Sequence, residues 1–275
     1  MKVAIFGTTG MLGHEVEKIF LAEKFEVISV NRNKIDALSC SAEDIRKQID
    51  GVSRIINCVG LIKHRTQNDY EKNAIITNSL FPFKLSEAAK TLDAKVIQIA
   101  TDCVYDGQKG FYTENDNHNA VDVYGKTKSL GEVKSDNFIN LRCSIIGKEI
   151  KNKTSLLEWF LCQPKNARIS GYLNHFWNGI TTTAFAKICV GIIRNDLPPT
   201  CSQHIVPADV MCKADMLHLF GEIFGRKDIF VENISAAVGI NRTLSTENSE
   251  MNQKIWSAAD YKKIPTIREM VGEIL

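Results

Sequence analysis

The amino-acid sequence predicts a doubly wound α/β fold, in which helices cover both faces of a parallel β-sheet. Through the first half of the chain, short apolar segments alternate with longer amphipathic segments. The apolar segments are continuous, which is typical of strands buried on both faces. At 275 residues the chain is long enough for one large domain of this kind and a smaller lobe.

The first predicted elements follow one another closely. The strand KVAIF is followed by the helix MLGHEVEKIFLAEK and by the strand EVISV. A second helix begins in SAEDIRKQI, where Ser41 is a favourable N-cap and Glu43 and Asp44 lie in the first turn. The remaining elements of this half are the strand SRIINCVG, the long helix DYEKNAIITNSLFPFKLSEAAKTL with a possible kink at Pro82, the strand AKVIQIATD, a helix that contains Tyr124, and the strand NFINLRCSIIG.

After Gly147 the alternation of apolar and amphipathic segments becomes less regular. We expect residues 1–147, with later returning segments, to form the dinucleotide-binding sheet domain, and residues 148–275 to form mainly a smaller lobe that binds substrate. The predicted elements of this half are helices in TSLLEWFLCQ, TTTAFAKICVGIIRN, ADMLHLFGEIFG and IPTIREMVGEIL, with a short strand in ARIS. Apolar pairing recurs only weakly near Phe230 to Ile234.

Composition narrows the class of protein. The 34 Lys and Arg residues nearly balance the 32 Asp and Glu residues, which argues against a nucleic-acid or membrane partner, and we expect the basic run Lys63-His64-Arg65 to be solvated. The eight cysteines form no CxxC pair and no zinc-spaced cluster with histidine, so we expect no metal site. With no leader pattern and no apolar run near ~20 residues, we expect a cytoplasmic protein.

A glycine-rich turn joins the first strand to the first helix. In GTTGMLG, Gly7, Gly10 and Gly13 allow a tight turn and let a pyrophosphate approach the helix N-terminus. The position of this motif, between a strand and a helix, is typical of Rossmann-type folds. We therefore predict a nicotinamide dinucleotide here, contacted also by Thr9, Met11 and Leu12.

The end of the second strand predicts which dinucleotide binds. NAD-binding chains usually carry an acidic residue there, which binds the ribose 2′-hydroxyl. This sequence has Asn31 and Arg32 instead, and Arg32 could pair with a 2′-phosphate. We therefore expect NADPH as the cofactor, with NADH still possible.

A tyrosine and a lysine lie one helical turn apart in AVDVYGKTKSLGEV. Tyr124 and Lys128 share one helix face, and a cation beside a phenol favours the phenolate and lowers its pKa from about 10. Thr101 lies at the carboxyl end of a predicted strand, where open α/β sheets assemble their sites. We expect these three side chains to meet and to transfer a proton near neutral pH.

Five motifs occur in a familiar order and spacing: GTTGMLG, ATDCVYDG, YTEND, YGKTKSLGE and LRCSIIG. With them the chain resembles, over nearly its whole length, the extended short-chain dehydrogenase/reductase superfamily, and within it the dTDP-4-dehydrorhamnose reductase family. The resemblance implies a catalytic trio of Thr101, Tyr124 and Lys128. Tyr124 would protonate the C4 oxygen of a 4-keto sugar, Lys128 would bind the nicotinamide ribose, and Thr101 would orient the carbonyl.

The resemblance extends to other positions of the site. It implies that Asn57, Cys58 and Val59 line the cofactor and that Asn78 supports the site from inside the long helix, where an amide needs a partner. The expected substrate-binding residues are Asp102, Cys103, Val104, Trp177 and Asn178. His14 is expected at the surface.

The function implied is NADPH-dependent reduction of a nucleotide-linked 4-keto-6-deoxyhexose, in the synthesis of a surface polysaccharide. The related dehydratases carry a glutamate base at the position of Cys103, and a neutral thiol is a poor substitute. A sugar-nucleotide epimerase of the same fold and a non-catalytic dinucleotide-binding regulatory subunit are the alternatives. A homodimer is possible.

Overall fold

The computed structural model of the protein describes residues 1–62, 69–150, 153–197 and 201–274. The basic run Lys63-His64-Arg65 lies outside the described residues. The first part of the chain forms β1 (Lys2–Phe6), α1 (Met11–Ala22), β2 (Glu26–Val30), α2 (Ala42–Gln48), β3 (Arg54–Asn57), α3 (Tyr70–Ala74), α4 (Phe81–Thr91), β4 (Lys95–Ala100), α5 (Val123–Leu130) and β5 (Phe138–Arg142). The second part forms β6 (Ile145–Ile146), α6 (Leu156–Leu161), β7 (Arg168–Tyr172), β8 (His175–Trp177), β9 (Ile180–Thr181), α7 (Thr182–Arg194), β10 (Ser202–His204), β11 (Met211–Cys212), α8 (Lys213–Ile223), β12 (Phe230–Ile234), β13 (Ile240–Asn241), α9 (Ser249–Ala258) and α10 (Ile267–Gly272).

Within the described ranges the largest sheet has six strands in the order β10-β5-β4-β3-β1-β2. Each of its neighbouring pairs is parallel. The chain runs from β1 outward to β2 and then returns to place β3 on the other side of β1. This reversal creates a crevice at the carboxyl ends of β1 and β3, the usual ligand site of open α/β sheets. The predicted Rossmann-type, doubly wound fold is confirmed.

Side chains of the strands pack into two apolar cores, one on each face of the sheet. Because successive side chains of a strand point to opposite faces, Val3 and Ile5 pack into one core and Ala4 and Phe6 into the other. The first core includes side chains of α1, α7 and α9, and the second includes side chains of α2 and α4. Burial on both faces explains why the strand sequences are continuously apolar.

The long helix predicted around Pro82 is interrupted by a wider turn. Helix α3 continues into a π-helical segment, Ile75–Leu80, before α4 begins at Phe81 with Pro82 in its first turn. In a regular α-helix the proline ring would clash with the carbonyl of Asn78, four residues earlier. The π-helical segment ends directly before Phe81 and Pro82, at the place where the sequence allowed for a kink.

Several elements of the second half were not predicted. Strand β10 joins the edge of the large sheet, although its sequence, SQH, is polar. The His204 amide donates to Glu114 (2.8 Å) and the Gln203 side-chain amide donates to Thr246 (3.1 Å), whereas the Gln203 side-chain oxygen is buried without a partner among the described residues. Helix α9 and the short strands β8, β9, β11 and β13 were also missed. The weak pairing near Phe230 corresponds to β12, which is parallel to β7.

None of the helices in the described ranges is long and apolar enough to cross a bilayer.

The packing of α1 on the glycine turn gives a test of the fold. A Cβ on Gly13 would lie 2.1 Å from the Gly7 carbonyl oxygen, so Gly13→Ala forces α1 away from β1. We expect a loss of about 1–3 kcal/mol of unfolding free energy, measured by urea denaturation. Gly272→Ala is the matched control, because among the described residues nothing lies within 4 Å of a Cβ there and alanine favours helix. Equal stability of the two variants would contradict this packing.

Candidate active site

Two adjoining cavities open at the carboxyl edge of the large sheet. The glycine-loop cavity, about 410 Å³, is lined by residues of the β1–α1 turn, the segment after β2 and the segment after β3. The tyrosine cavity, about 560 Å³, is lined by Thr101, Tyr124 and Lys128 and by residues of the second half of the chain. Cys58, Val59 and Gly60 line both, so the two cavities meet at the end of β3.

The glycine turn has the backbone that the sequence predicts. Gly7 has φ +85°, a conformation that favours glycine, and its carbonyl accepts a hydrogen bond from the Gly10 amide at 2.9 Å. Gly10 is the N-cap of α1 and provides no side-chain cap, and the first turn holds no acidic side chain. No side chain in the described part of the chain caps these amides, and the site fits the diphosphate of a dinucleotide.

The glycine-turn residues divide between the two cavities. Gly7, Thr9 and Gly10 line the glycine-loop cavity, and Met11 and Leu12 line the tyrosine cavity. Gly13 instead provides the close approach of α1 to Gly7. His14 is exposed, as expected.

The residues after β2 form the outer wall of the glycine-loop cavity. Asn31 and Arg32 both line it. The Arg32 side chain is 71% exposed, and its guanidinium forms an ion pair with Asp36 at 3.2 Å. An anionic group of a ligand would therefore compete with the Asp36 carboxylate for Arg32.

Asn57 does not face either cavity. It is fully buried, its amide donates to the Gln98 side chain at 2.8 Å, and its oxygen accepts the Val59 amide at 3.1 Å. The expected contact of Asn57 with a cofactor is thus replaced by a structural role, since both polar ends of the amide are already bonded. Cys58 and Val59 do line the cavities.

Helix α5 carries Tyr124 and Lys128 to the tyrosine cavity. Asp122 caps the helix by accepting the Gly125 amide at 2.8 Å. A Cβ on Gly125 would lie 2.1 Å from the Cys103 carbonyl oxygen, so the glycine after Tyr124 allows α5 to contact the segment after β4. This contact brings Tyr124 beside Thr101, as predicted.

The phenol of Tyr124 has a raised pKa, which corrects the expectation from the sequence. Burial is the main cause, and the neighbouring Cys103 thiol and Asp102 carboxylate act in the same direction, while hydrogen bonding with Thr101 offsets part of the rise. The Lys128 ammonium donates to the Ile99 carbonyl at 2.8 Å, and burial rather than this cation decides the direction of the Tyr124 pKa shift. Burial lowers the pKa of Lys128 itself to about 8.

Asn78 supports this arrangement from the π-helical segment. Its side chain accepts the Leu61 amide at 2.8 Å and donates to the Leu61 carbonyl at 3.0 Å and to the Thr127 hydroxyl at 3.1 Å. These bonds join the segment after β3 to α5. They also explain why an asparagine is tolerated inside a helix.

Of the expected substrate-binding residues, some line the tyrosine cavity and others are buried away from it. Asp102, Cys103 and Trp177 line the tyrosine cavity. Val104 is instead buried in a small core with Tyr105. Asn178 is buried too, and both ends of its amide bond the Leu244 backbone, at 2.7 and 2.8 Å.

The cavity wall also contains polar residues that the sequence did not single out. Tyr70, Ser155 and Lys213 line the tyrosine cavity. The Lys213 ammonium lies 5.8 Å from the centre of the Trp177 ring, and burial lowers its pKa although Asp102 opposes the change. These residues stand outside the recognised motifs, so no local pattern marked them.

Among the described residues, no group of three or more His, Cys, Asp or Glu side chains could hold a metal ion.

Comparison with known proteins gives partial sequence matches. The chain is 26% identical to a dTDP-4-dehydrorhamnose reductase of Mycolicibacterium smegmatis over 133 residues, which are 48% of this chain and 40% of that protein. It is 29% identical to methionine adenosyltransferase 2 subunit beta of Danio rerio over 140 residues, 48% of this chain and 42% of that protein. These matches thus span less than half the length of either relative.

Solved structures match over nearly the whole chain. A dTDP-4-dehydrorhamnose reductase of Clostridium acetobutylicum has a TM-score of 0.81 at 20% identity, covering 100% of this chain and 98% of that one. The enzyme of the same name from Bacillus anthracis, solved in complex with NADP, has a TM-score of 0.82 at 17% identity, covering 99% and 98%. At these identities the likeness concerns the fold.

The family model described as the RmlD substrate binding domain matches residues 1–148, more than half of the 275 residues. The chain therefore belongs to the RmlD substrate binding domain family.

Proposed function

We propose that the protein is an NADPH-dependent reductase of a nucleotide-linked 4-keto-6-deoxyhexose. The observation that carries the proposal is the meeting of three groups at the wall of one cavity. The protonated phenol of Tyr124, the hydroxyl of Thr101 and the ammonium of Lys128 lie beside the glycine turn. This set can deliver a proton to a carbonyl oxygen next to a bound dinucleotide.

The cofactor and the protein supply different groups to the proposed reduction. A bound NADPH supplies the hydride. Tyr124 donates the proton to the carbonyl oxygen, and its raised pKa keeps it protonated at neutral pH. Lys128, a cation below a pKa of about 8, would hydrogen bond the nicotinamide ribose and so position the cofactor beside Tyr124. Thr101 orients the carbonyl.

The residue after Asp102 favours reduction over dehydration. Burial raises the pKa of the Cys103 thiol to about 12, so the thiol stays neutral and is a poor general base. A simple carbonyl reduction requires no such base. The neighbouring structures include a dTDP-glucose 4,6-dehydratase and a UDP-glucuronic acid 4-epimerase, at 16% and 14% identity. An epimerase keeps the same Tyr and Lys and is the first alternative.

A regulatory subunit is the second alternative. It is favoured by the relatives from Danio rerio, Xenopus tropicalis and Bos taurus, which are named as methionine adenosyltransferase 2 subunit beta. The buried phenol and ammonium in one cavity favour an enzyme, since a dinucleotide-binding subunit requires neither group.

The setting proposed is deoxysugar synthesis for a surface polysaccharide, in the cytoplasm, with residues 1–147 mainly binding cofactor and residues 148–275 mainly binding substrate. A homodimer is supported by apolar side chains exposed on neighbouring helical segments, at Ile75, Leu80, Phe83 and Leu130.

The role of Tyr124 is tested by removing one oxygen. Tyr124→Phe should lower kcat by about 10²–10⁴-fold, because a positioned general acid contributes about this much. NADPH consumption is measured with dTDP-, UDP- and GDP-linked 4-keto sugars, and NADPH affinity should stay unchanged. Undiminished turnover by the variant would reject the proposed mechanism, and a wild type that reduces none of these sugars would favour the subunit alternative.

The pKa of Lys128 predicts how the reduction depends on pH. Its pKa is lowered to about 8, so the ammonium is charged below that pH and neutral above it. In the direction of reduction, kcat/KM should be flat at neutral pH and fall as pH rises through about 8. In Lys128→Arg the fall of kcat/KM on the alkaline side should begin more than one pH unit higher, because a guanidinium stays protonated. An unchanged alkaline fall in that variant would assign the titration to another group.

Arg32 predicts cofactor preference. Arg32→Ala should raise the KM for NADPH about tenfold and leave the KM for NADH unchanged, since a charge-assisted bond to the 2′-phosphate is lost. Lys34→Ala removes the same charge nearby and is the control, because its ammonium bonds the Ser29 carbonyl at 2.8 Å and does not line the glycine-loop cavity. A wild type that prefers NADH would refute this role.

A further inference from the structure

Two hydroxyl groups in the wall of the tyrosine cavity have no hydrogen-bond partner among the described residues. They are the Tyr70 hydroxyl and the Ser155 hydroxyl, and both atoms are buried. A buried polar atom without a partner costs about 1–3 kcal/mol. Buried hydroxyls are therefore nearly always bonded, and an exception calls for an explanation.

Tyr70 lies close to the proposed proton donor. It is the first residue of α3, and its side chain is only 7% exposed. Its phenol is one of the groups that raise the pKa of Tyr124, and burial raises its own pKa. A ligand whose carbonyl reaches Tyr124 would bring its neighbouring substituents within reach of Tyr70.

Ser155 occupies the N-cap position of α6 but forms no capping hydrogen bond. It precedes α6 in extended backbone, the usual conformation of an N-cap serine, but its oxygen accepts no amide hydrogen of the helix. Its own amide and that of Thr154 donate to the Glu149 carboxylate, at 2.8 and 2.7 Å. The backbone is thus held in place, and the buried hydroxyl, which has no partner among the described residues, belongs to a residue of the cavity wall.

The surroundings of the two hydroxyls are largely apolar. The same cavity is lined by Leu12, Ile62, Ile145, Ile146 and Leu156. These apolar side chains alternate with polar ones, so a ligand that fills the cavity must match its polar groups to particular wall residues. A hydroxyl both donates and accepts, which suits the hydroxyl and ring oxygens of a sugar.

We propose that Tyr70 and Ser155 bind the hexose of the nucleotide sugar, Tyr70 next to the carbon that reacts and Ser155 at a second wall of the cavity. This inference rests on the proposed function. It assigns to the two residues the recognition of the substrate rather than the chemistry. Each hydroxyl then gains, in the complex, the bond that it lacks in the free protein.

The test uses dTDP-glucose and UDP-glucose as probes, with NADP⁺ bound, because neither sugar has a 4-keto group to reduce. Tyr70→Phe and Ser155→Ala should each raise the Kd of the tighter probe about five- to tenfold by calorimetry, the effect of one lost hydrogen bond. The Kd of dTDP or UDP alone should not change, because the hydroxyls contact the hexose. Tyr172→Phe, a partly exposed tyrosine outside the cavity, is the control.

Thermal unfolding of the free protein separates a binding role from a structural one. Removing a hydroxyl without a partner should leave Tm unchanged or raise it. Tyr105→Phe should lower Tm, because the Tyr105 hydroxyl donates to the Thr113 carbonyl and accepts from Arg142, both at 2.9 Å.

The outcomes distinguish this inference from the function on which it rests. Variants that bind the sugar nucleotides as tightly as the wild type, or that lose stability as Tyr105→Phe does, overturn the inference and leave the reductase proposal standing. A third result is that the wild type binds a probe but reduces no 4-keto sugar, and that both variants bind the probe more weakly. That result supports the two hydroxyls as binding groups and refutes the reductase. A wild type that binds neither probe overturns the inference, and turnover of the dTDP-, UDP- and GDP-linked 4-keto sugars then decides the reductase proposal on its own.

Discussion

Direct backbone contact between α5 and its neighbours is the constraint on which the candidate site depends. A side chain at Gly125 would collide with the Cys103 carbonyl, and one at Gly131 would lie 1.8 Å from the Asn78 carbonyl oxygen. The helix is therefore held close to the segment after β4 at one end and to the π-helical segment at the other. Only at this distance can Tyr124 face Thr101 while Lys128 bonds the Ile99 carbonyl of β4.

A row of buried amides fixes the sheet beneath this helix. Asn57 on β3, Gln98 on β4 and Asn140 on β5 are paired in register, and their side chains are hydrogen bonded in sequence, at 2.8 and 3.0 Å. Gln98 also donates to the Gly131 carbonyl at 2.9 Å. A shift of one residue between these strands would leave buried amides unbonded, so the row fixes both the strand register and the end of α5.

The sequence was sufficient for those features that depend on local pattern. The glycine turn, the capped start of α2 and the meeting of Thr101 with Tyr124 follow from spacing and from the common edge of parallel strands. Features that depend on tertiary contacts were not accessible. Burial reverses the expected pKa shift of Tyr124, and amide partners on distant segments turn Asn57 and Asn178 away from the cavities. Tyr70 and Ser155 belong to no motif, and only the cavity reveals them.

The two sides of the tyrosine cavity are built in different ways. Tyr124 is held by main-chain contacts of α5, whereas Trp177, Ser155 and Lys213 come from separate segments of the second half of the chain. Replacing a side chain on those segments does not move α5. In the proposed reductase, a new sugar preference can therefore arise through wall residues alone, while Thr101, Tyr124 and Lys128 keep their places.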